Sequence, residues 1–196
     1  MTVDGNGDKA VFRRAAAEHM DKVLSVLDEA AGWLEARGVS QWPSRFEAAW
    51  VEKALTRGET WLVEIGGKVA GTVTVDWSDP LWADLGGPAG YVRRMAVRRW
   101  AAGLGSVILD WAGDIALQRG ANALRLDCVN SNRHLRSYYE AQGFVHRGDV
   151  PVGGAPGQRQ DDGPVTRVSR YEQALTRRRA ADRAPGLGES GFVSLP

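Results

Sequence analysis

The 196-residue chain has one cysteine, three histidines, four lysines and no long apolar run, and each shortage excludes something. The lone Cys128 rules out an intramolecular disulfide framework and fits a reducing compartment. His19, His134 and His146 are scattered without metal-ligand spacing, so no metal site is expected. No segment approaches the ~20 apolar residues of a membrane-spanning helix. The opening "MTVDGNGDKA" lacks the charged-then-apolar plan of a secretory leader. The expectation is a cytoplasmic protein with no membrane partner. Excess charge is missing as well: 25 basic residues meet 24 acidic ones, for a net charge of +1. That balance does not point to an obligate polyanion, and nucleic acid is not expected as a partner.

At 43% apolar residues, the chain can bury the core of one domain. "AVFRRA" (10–15) reads as a first strand. Met20, Val23, Leu24, Leu27, Ala31 and Leu34 then recur at three- and four-residue spacing up to Arg37-Gly38, which reads as an amphipathic helix ending on glycine. A second helix is expected from Pro43-Ser44 to just before Gly58. "TWLVEI" and "VAGTVTVDW" flank Gly66-Gly67, the pattern of a tight hairpin. A loop rich in Asp, Trp, Pro and Gly (76–90) leads to a strand at 91–97 and a helix at about 105–119, with Gly120 as its cap. "ALRLDCV" is another strand, "NRHLRSYYEAQ" another helix, and two strands near 144–150 and 165–173 flank "PVGGAPGQRQDDG". The domain therefore spans 10–175, between a polar N-terminus (1–9) and an arginine-rich tail (176–196) expected to be flexible. The element order is that of a mixed α/β fold with helices on both faces of one sheet.

Between the strand ending at Val97 and the helix near Ser106 stand Ala101, Ala102, Gly103, Leu104 and Gly105. A helix start offers free backbone N–H groups carrying roughly half a positive charge, which suits a phosphate. Glycines let such an anion approach, and Ser106 adds a hydroxyl. A P-loop is excluded because no lysine follows Gly105. A dinucleotide fingerprint is excluded because Ile108 stands where its third glycine belongs. On its own the pair of glycines fits an anion cradle or a tight turn equally.

The second half of the chain adds Asn132, Arg133, His134, Leu135, Arg136, Ser137, Tyr138 and Tyr139, closed by Gly143-Phe144. With Trp100-Ala101-Ala102-Gly103-Leu104-Gly105 about thirty residues upstream, this resembles the GNAT superfamily of acyl-CoA-dependent N-acetyltransferases. That signature is Gln/Arg-x-x-Gly-x-Gly/Ala opening a helix, followed by Asn-x-x-Ala-x-x-x-Tyr and Gly-Phe. The chain departs from it at Trp100, which stands where arginine or glutamine is usual.

The resemblance implies a mostly antiparallel sheet splayed at the CoA site, acetyl-CoA as acyl donor and an amine as acceptor, small or peptidic. A homodimer is compatible with it. It also places cofactor contacts at Met95, Val97, Arg98, Ala102, Gly103, Gly105, Ser106, Asn132 and Tyr139, and gives Tyr139 the role of general acid. Read from its position alone, Tyr139 is a packed core aromatic, and it is the resemblance that favours the acid role. Asp127, twelve residues before Tyr139 on a strand, is the candidate base or else an exposed strand-end residue. In the 76–90 loop, Asp76, Asp79 and Asp84 could receive a cationic acceptor, with Trp77 and Trp82 as its walls; a solvated acidic loop is the alternative. Cys128, facing away from Asp127, reads as a buried thiol. Two other functions stay compatible with the sequence. One is a CoA-binding module without turnover, and the other is transfer to a protein or aminoacyl-tRNA.

Overall fold

Strand propensity and helical spacing place seven strands and four helices along the chain, in a computed structural model that describes residues 9–39, 41–153 and 166–176. The N-terminal eight residues, most of the expected 151–163 loop and the arginine-rich tail beyond Thr176 lie outside the described residues. One sheet runs in the order β1-β2-β3-β4-β5-β7-β6. Its strands are β1 (Val11–Arg14), β2 (Thr60–Ile65), β3 (Lys68–Asp76), β4 (Ala89–Val97), β5 (Ala123–Val129), β6 (Val145–Val152) and β7 (Thr166–Ala174). Every pairing is antiparallel except β4 with β5. The β2–β3 turn places Gly66 and Gly67 at φ 56° and 76°, the left-handed pair a two-residue hairpin requires.

Alternation along the strands sends side chains to two cores. Leu62 joins Val23, Val26, Leu27 and Phe46 beneath α1 (Met20–Glu35) and α2 (Ala49–Thr56). Its neighbour Val63 joins Ile108, Ala112 and Leu124 beneath α3 (Leu104–Gln118), and Tyr139 of α4 (Arg133–Ala141) belongs to the same cluster. The second helix starts later than its spacing predicts. Asp28 Oδ1 accepts the Phe46 N–H at 2.8 Å, and Trp42 and Trp50 pack edge-on against Phe46. These contacts hold residues 41–48 in irregular backbone until α2 begins. No helix among the described residues is long and apolar enough to cross a membrane.

Candidate active site

Among the described strands the one parallel pair, β4 with β5, is also the one with the fewest rungs. β4 and β5 pair at Ala89↔Ala123, Gly90↔Leu124 and Tyr91↔Arg125, and no further rung follows. Beyond Tyr91 the two strands part. A bulge on the other side of β4 adds to the divergence: Thr74 pairs with Arg93 and Thr72 with Ala96, so Arg94 and Met95 share the place opposite Val73. Arg94 takes φ 48°, the one positive φ outside glycine among the described residues. The fork opens into a cleft of about 900 Å³ bordered by Met95, Val97, Gly103, Asp127, Asn132 and Tyr139. Six residues from four separate segments of the chain therefore meet in one place.

At the glycine turn, Gly103 is the N-cap of α3 at φ 93°, with open space where a Cβ would stand. That matches an approachable helix start. Gly105 has a different reason to be glycine. A Cβ there would stand 2.7 Å from Tyr138 Oη, so the tyrosine of α4 already fills the space assigned to an anion. Ser106 Oγ donates to the Gly103 carbonyl at 3.1 Å and is not among the cleft-lining residues, whereas Ala102 borders the cleft. Arg98 is tied down, with its guanidinium on Glu29, Ser25 Oγ and the Val69 carbonyl of β3. Arg99 is exposed and borders the cleft, and Trp100, 54% exposed, projects beside it. Asn132 caps α4 by accepting the Leu135 N–H, and its amide donates to Gln41 Oε1 at 3.2 Å. Gln41 Oε1 also accepts the Val129 N–H, which ties the chain after α1 to the end of β5. Long-range stitches of this kind leave no trace in sequence spacing.

Asp127 sits on β5 past the last rung and lines the cleft. Its carboxylate makes no hydrogen bond or ion pair with any described residue, and burial pushes it up to about 6 against the opposing charge of Arg93. Tyr139 is buried against Tyr138, Phe144 and Tyr171, and burial raises its phenol above the ordinary value. It borders the cleft, and no hydrogen bond ties its hydroxyl to a described residue. Cys128 points the other way into the core, fully buried, its thiol pushed up to about 12, and so is inert.

The 76–90 loop departs most from expectation. Trp82 is 2% exposed and packs with Ala89, Tyr91 and Ala123, so it walls no pocket. Its ring is flanked by the Arg125 and Arg170 guanidiniums, whose carbons lie 5.3 Å and 5.1 Å from its centroid. Both arginines also bind the loop backbone, Arg125 at the Leu85 and Gly86 carbonyls and Arg170 at Leu81. Asp84 closes on Arg170, which holds its carboxyl below the usual range. Asp79 accepts the Leu81 N–H and pairs with Arg93, while Asp76 pairs with Arg57 at 3.1 Å and Arg93 at 3.4 Å. These carboxylates already have internal cations, which removes the reason to expect a cationic acceptor on them. Asp76 and Trp77 border a separate cleft of about 520 Å³ on the α2 side, and Trp77 carries Arg119 over its ring. Arg93 and Arg94, which sequence reasoning passed over, border both clefts. No group of three or more metal-ligating side chains occurs among the described residues.

The sequence model of the Acetyltransferase (GNAT) family matches residues 26–144, more than half of the chain. The chain is 28% identical over 145 residues to the uncharacterized N-acetyltransferase YesJ of Bacillus subtilis (strain 168), covering 68% of this chain and 81% of YesJ. Its fold superimposes on a GNAT-family acetyltransferase from Listeria monocytogenes 4b F2365 with a TM-score of 0.69 at 24% identity, covering 88% of this chain and 99% of that one. It also superimposes on yncA of Salmonella typhimurium, solved with its cofactor acetyl-CoA, with a TM-score of 0.58 at 15% identity over 86% and 95% of the two chains. By the family match, and in keeping with the forked sheet and glycine turn, the chain belongs to the GNAT family of acetyltransferases.

Proposed function

We propose that the chain takes an acetyl group from acetyl-CoA and passes it directly to an amine, with Asp127 as general base and Tyr139 as hydrogen-bond donor at the leaving sulfur. The observation that carries this reading is the meeting of an unpaired Asp127 carboxyl and an unpaired Tyr139 hydroxyl in the fork between β4 and β5. The residues fit the donor. Gly103 opens a helix start to a pyrophosphate, and β4 past Tyr91 has an edge without β5 partners, along which Met95 and Val97 can hold an extended arm. Arg99, not Arg98, is the arginine left to compensate the phosphates. Bound there, acetyl-CoA supplies an activated thioester carbonyl.

The chain's own groups then divide the proton work. With its carboxyl near 6, Asp127 is ionised at neutral pH and is still a stronger base than an ordinary carboxylate. It accepts the N–H proton of the acceptor at its free carboxylate oxygen, directly or through water. Tyr139 stays protonated because burial disfavours its phenolate. A thiolate is the weaker base of the two, so the phenol steadies it by donating a hydrogen bond, and complete proton transfer is not required. An unpaired β4 N–H beside the fork stabilises developing negative charge on the carbonyl oxygen.

The test is calorimetric titration with acetyl-CoA, CoA and a dinucleotide control, followed by thiol-release assays over a panel of amines. Saturable binding of the first two alone, with turnover lost in Asp127→Asn and Tyr139→Phe while binding persists, is the expected result. Absence of acetyl-CoA binding overturns the reading. Turnover indifferent to both substitutions removes the assigned roles.

A further inference from the structure

Most shielded arginines of this protein close on a carboxylate: Arg93 on Asp76 and Asp79, Arg98 on Glu29, Arg125 on Glu172 and Arg170 on Asp84. Arg94 does not. It makes no hydrogen bond or ion pair with any described residue, and its Nε is buried without a partner. Burial and the neighbouring charges of Arg93 and Arg57 all weigh against the guanidinium being there, and only Asp76 acts in its favour from a distance. The guanidinium nevertheless stays charged, because no arginine loses its proton under protein conditions. The backbone beneath it is also unfavourable, since a β-bulge holds Arg94 at φ 48°. A strained bulge presenting an uncompensated cation is costly to the folded protein, and such costs concentrate where a ligand repays them.

The position of this cation limits the ligand. Arg94 borders both the main cleft and the smaller α2-side cleft, next to Arg93, with Asp127 on the strand across the fork. Gly103 borders the main cleft alone, whereas Arg94 also borders the α2-side cleft, which sets the cation on the side away from the helix start. The acidic groups of the α2-side cleft, Asp76 and Glu59, are already taken by Arg57 and Arg93, which leaves positive charge in surplus there. An acceptor bound here needs a nitrogen near Asp127 and a negative group for Arg94. Polyamines and simple alkylamines have no such group.

We infer that Arg94 is a specificity-determining residue that receives the carboxylate of an acceptor whose amine reaches Asp127. The substrate class is then a small amino acid. This rests on the acetyltransferase reading above and adds to it the charge the acceptor must carry.

The test compares amino acids with their decarboxylated counterparts (methionine with 3-(methylthio)propylamine, phenylalanine with phenethylamine) and with the matching amino acid amides. Kinetics are measured for the full chain, for Arg94→Met and for Arg94→Lys. The wild type is expected to favour the acids. Arg94→Met should lower kcat/KM for the acids by ~10²-fold, mostly through KM, and leave the uncharged amines within about threefold. Arg94→Lys should fall between. Melting curves give a second readout that needs no turnover. Free Arg94→Met should melt above the wild type, and amino acids at high concentration should raise the melting temperature of the wild type only.

Acids and plain amines used equally well, or lost equally on substitution, overturn the inference while leaving the acetyltransferase reading intact. Weakened acetyl-CoA binding in Arg94→Met also overturns it, by moving Arg94 to the donor site. If no amine is acetylated, the acetyltransferase reading fails, and the melting arm still decides whether Arg94 binds carboxylates: no wild-type shift with any acid rejects it.

Discussion

Arg93 faces Asp127 across the mouth of the fork, each two residues past the last rung of β4 and β5. Its charge is the chief force opposing the burial that lifts the Asp127 carboxyl to about 6. A base must be unprotonated to act, so kcat/KM should fall on the acid side with a midpoint near pH 6. Replacing Arg93 with methionine removes that opposing charge and frees Asp79, whose own charge also raises Asp127. Both effects act in the same direction. The acid limb in Arg93→Met should move to higher pH, and a pH–rate profile checks it; an unmoved limb would mean that Asp127 is not the titrating group.

The same shift has a consequence for stability. Between its unfolded value of ~3.9 and about 6, Asp127 binds more protons folded than unfolded, so its contribution to stability declines as pH rises through that window. Below the window its penalty is absent, and above it the penalty is complete. Asp127→Asn removes the buried charge and should be more stable than the wild type at pH 7 by ~3 kcal/mol. Near pH 4 the two should converge. Urea midpoints across pH measure this, and equal midpoints at every pH would count against a shifted carboxyl.

Tyr139 borders the fork and is the phenol of α4 packed against both Phe144 and Tyr171. Tyr139→Phe keeps the ring contacts with Phe144 and Tyr171 and removes only the donor. It should lower kcat by ~10–10²-fold with little change in acetyl-CoA affinity. Steady-state kinetics with calorimetry separates the two effects.

The features that were legible in the sequence are local. The Gly66-Gly67 hairpin, the Asn132 cap and the left-handed Gly103 each follow from a few neighbouring residues, and two local motifs at the right separation were enough to point to the fold. What stayed hidden depends on pairings across the chain. Nothing in "YVRRMAV" marks Arg94 as bulged, because a bulge is a mismatch between β4 and β3 and belongs to neither strand alone. The 76–90 loop reads as an acidic, aromatic, solvent-facing stretch until Arg125 and Arg170 arrive from β5 and β7 to bind its carbonyls and Asp84. Gly105 invited a ligand-based reason for its missing side chain. The reason is a tyrosine 33 residues away in sequence.

That contact makes a two-residue test. In Gly105→Ala the new methyl would stand 2.7 Å from Tyr138 Oη but 3.5 Å from Cζ, an ordinary contact. The clash is therefore with the hydroxyl alone. Gly105→Ala should destabilise the fold by ~1–2 kcal/mol through overpacking, and Tyr138→Phe in the same chain should restore most of the loss. Additive losses in the double-mutant cycle would show that Tyr138 does not occupy that space.

Trp82 separates a structural tryptophan from a substrate wall. It is fully enclosed between two guanidiniums and the Tyr91 side of the sheet, and it does not line the cleft. Trp82→Ala should cost ~3–5 kcal/mol of stability by emptying a large core site. It also removes the ring between Arg125 and Arg170, the two cations that hold the loop. Trp82→Phe keeps an aromatic face for both and should recover more than half of the loss. In either variant that remains folded at low temperature, KM for the acceptor should stay near the wild-type value, because Trp82 is absent from the lining of the cleft that Asp127 and Arg94 border. A large rise in acceptor KM in Trp82→Phe, without loss of stability, would return Trp82 to the acceptor pocket.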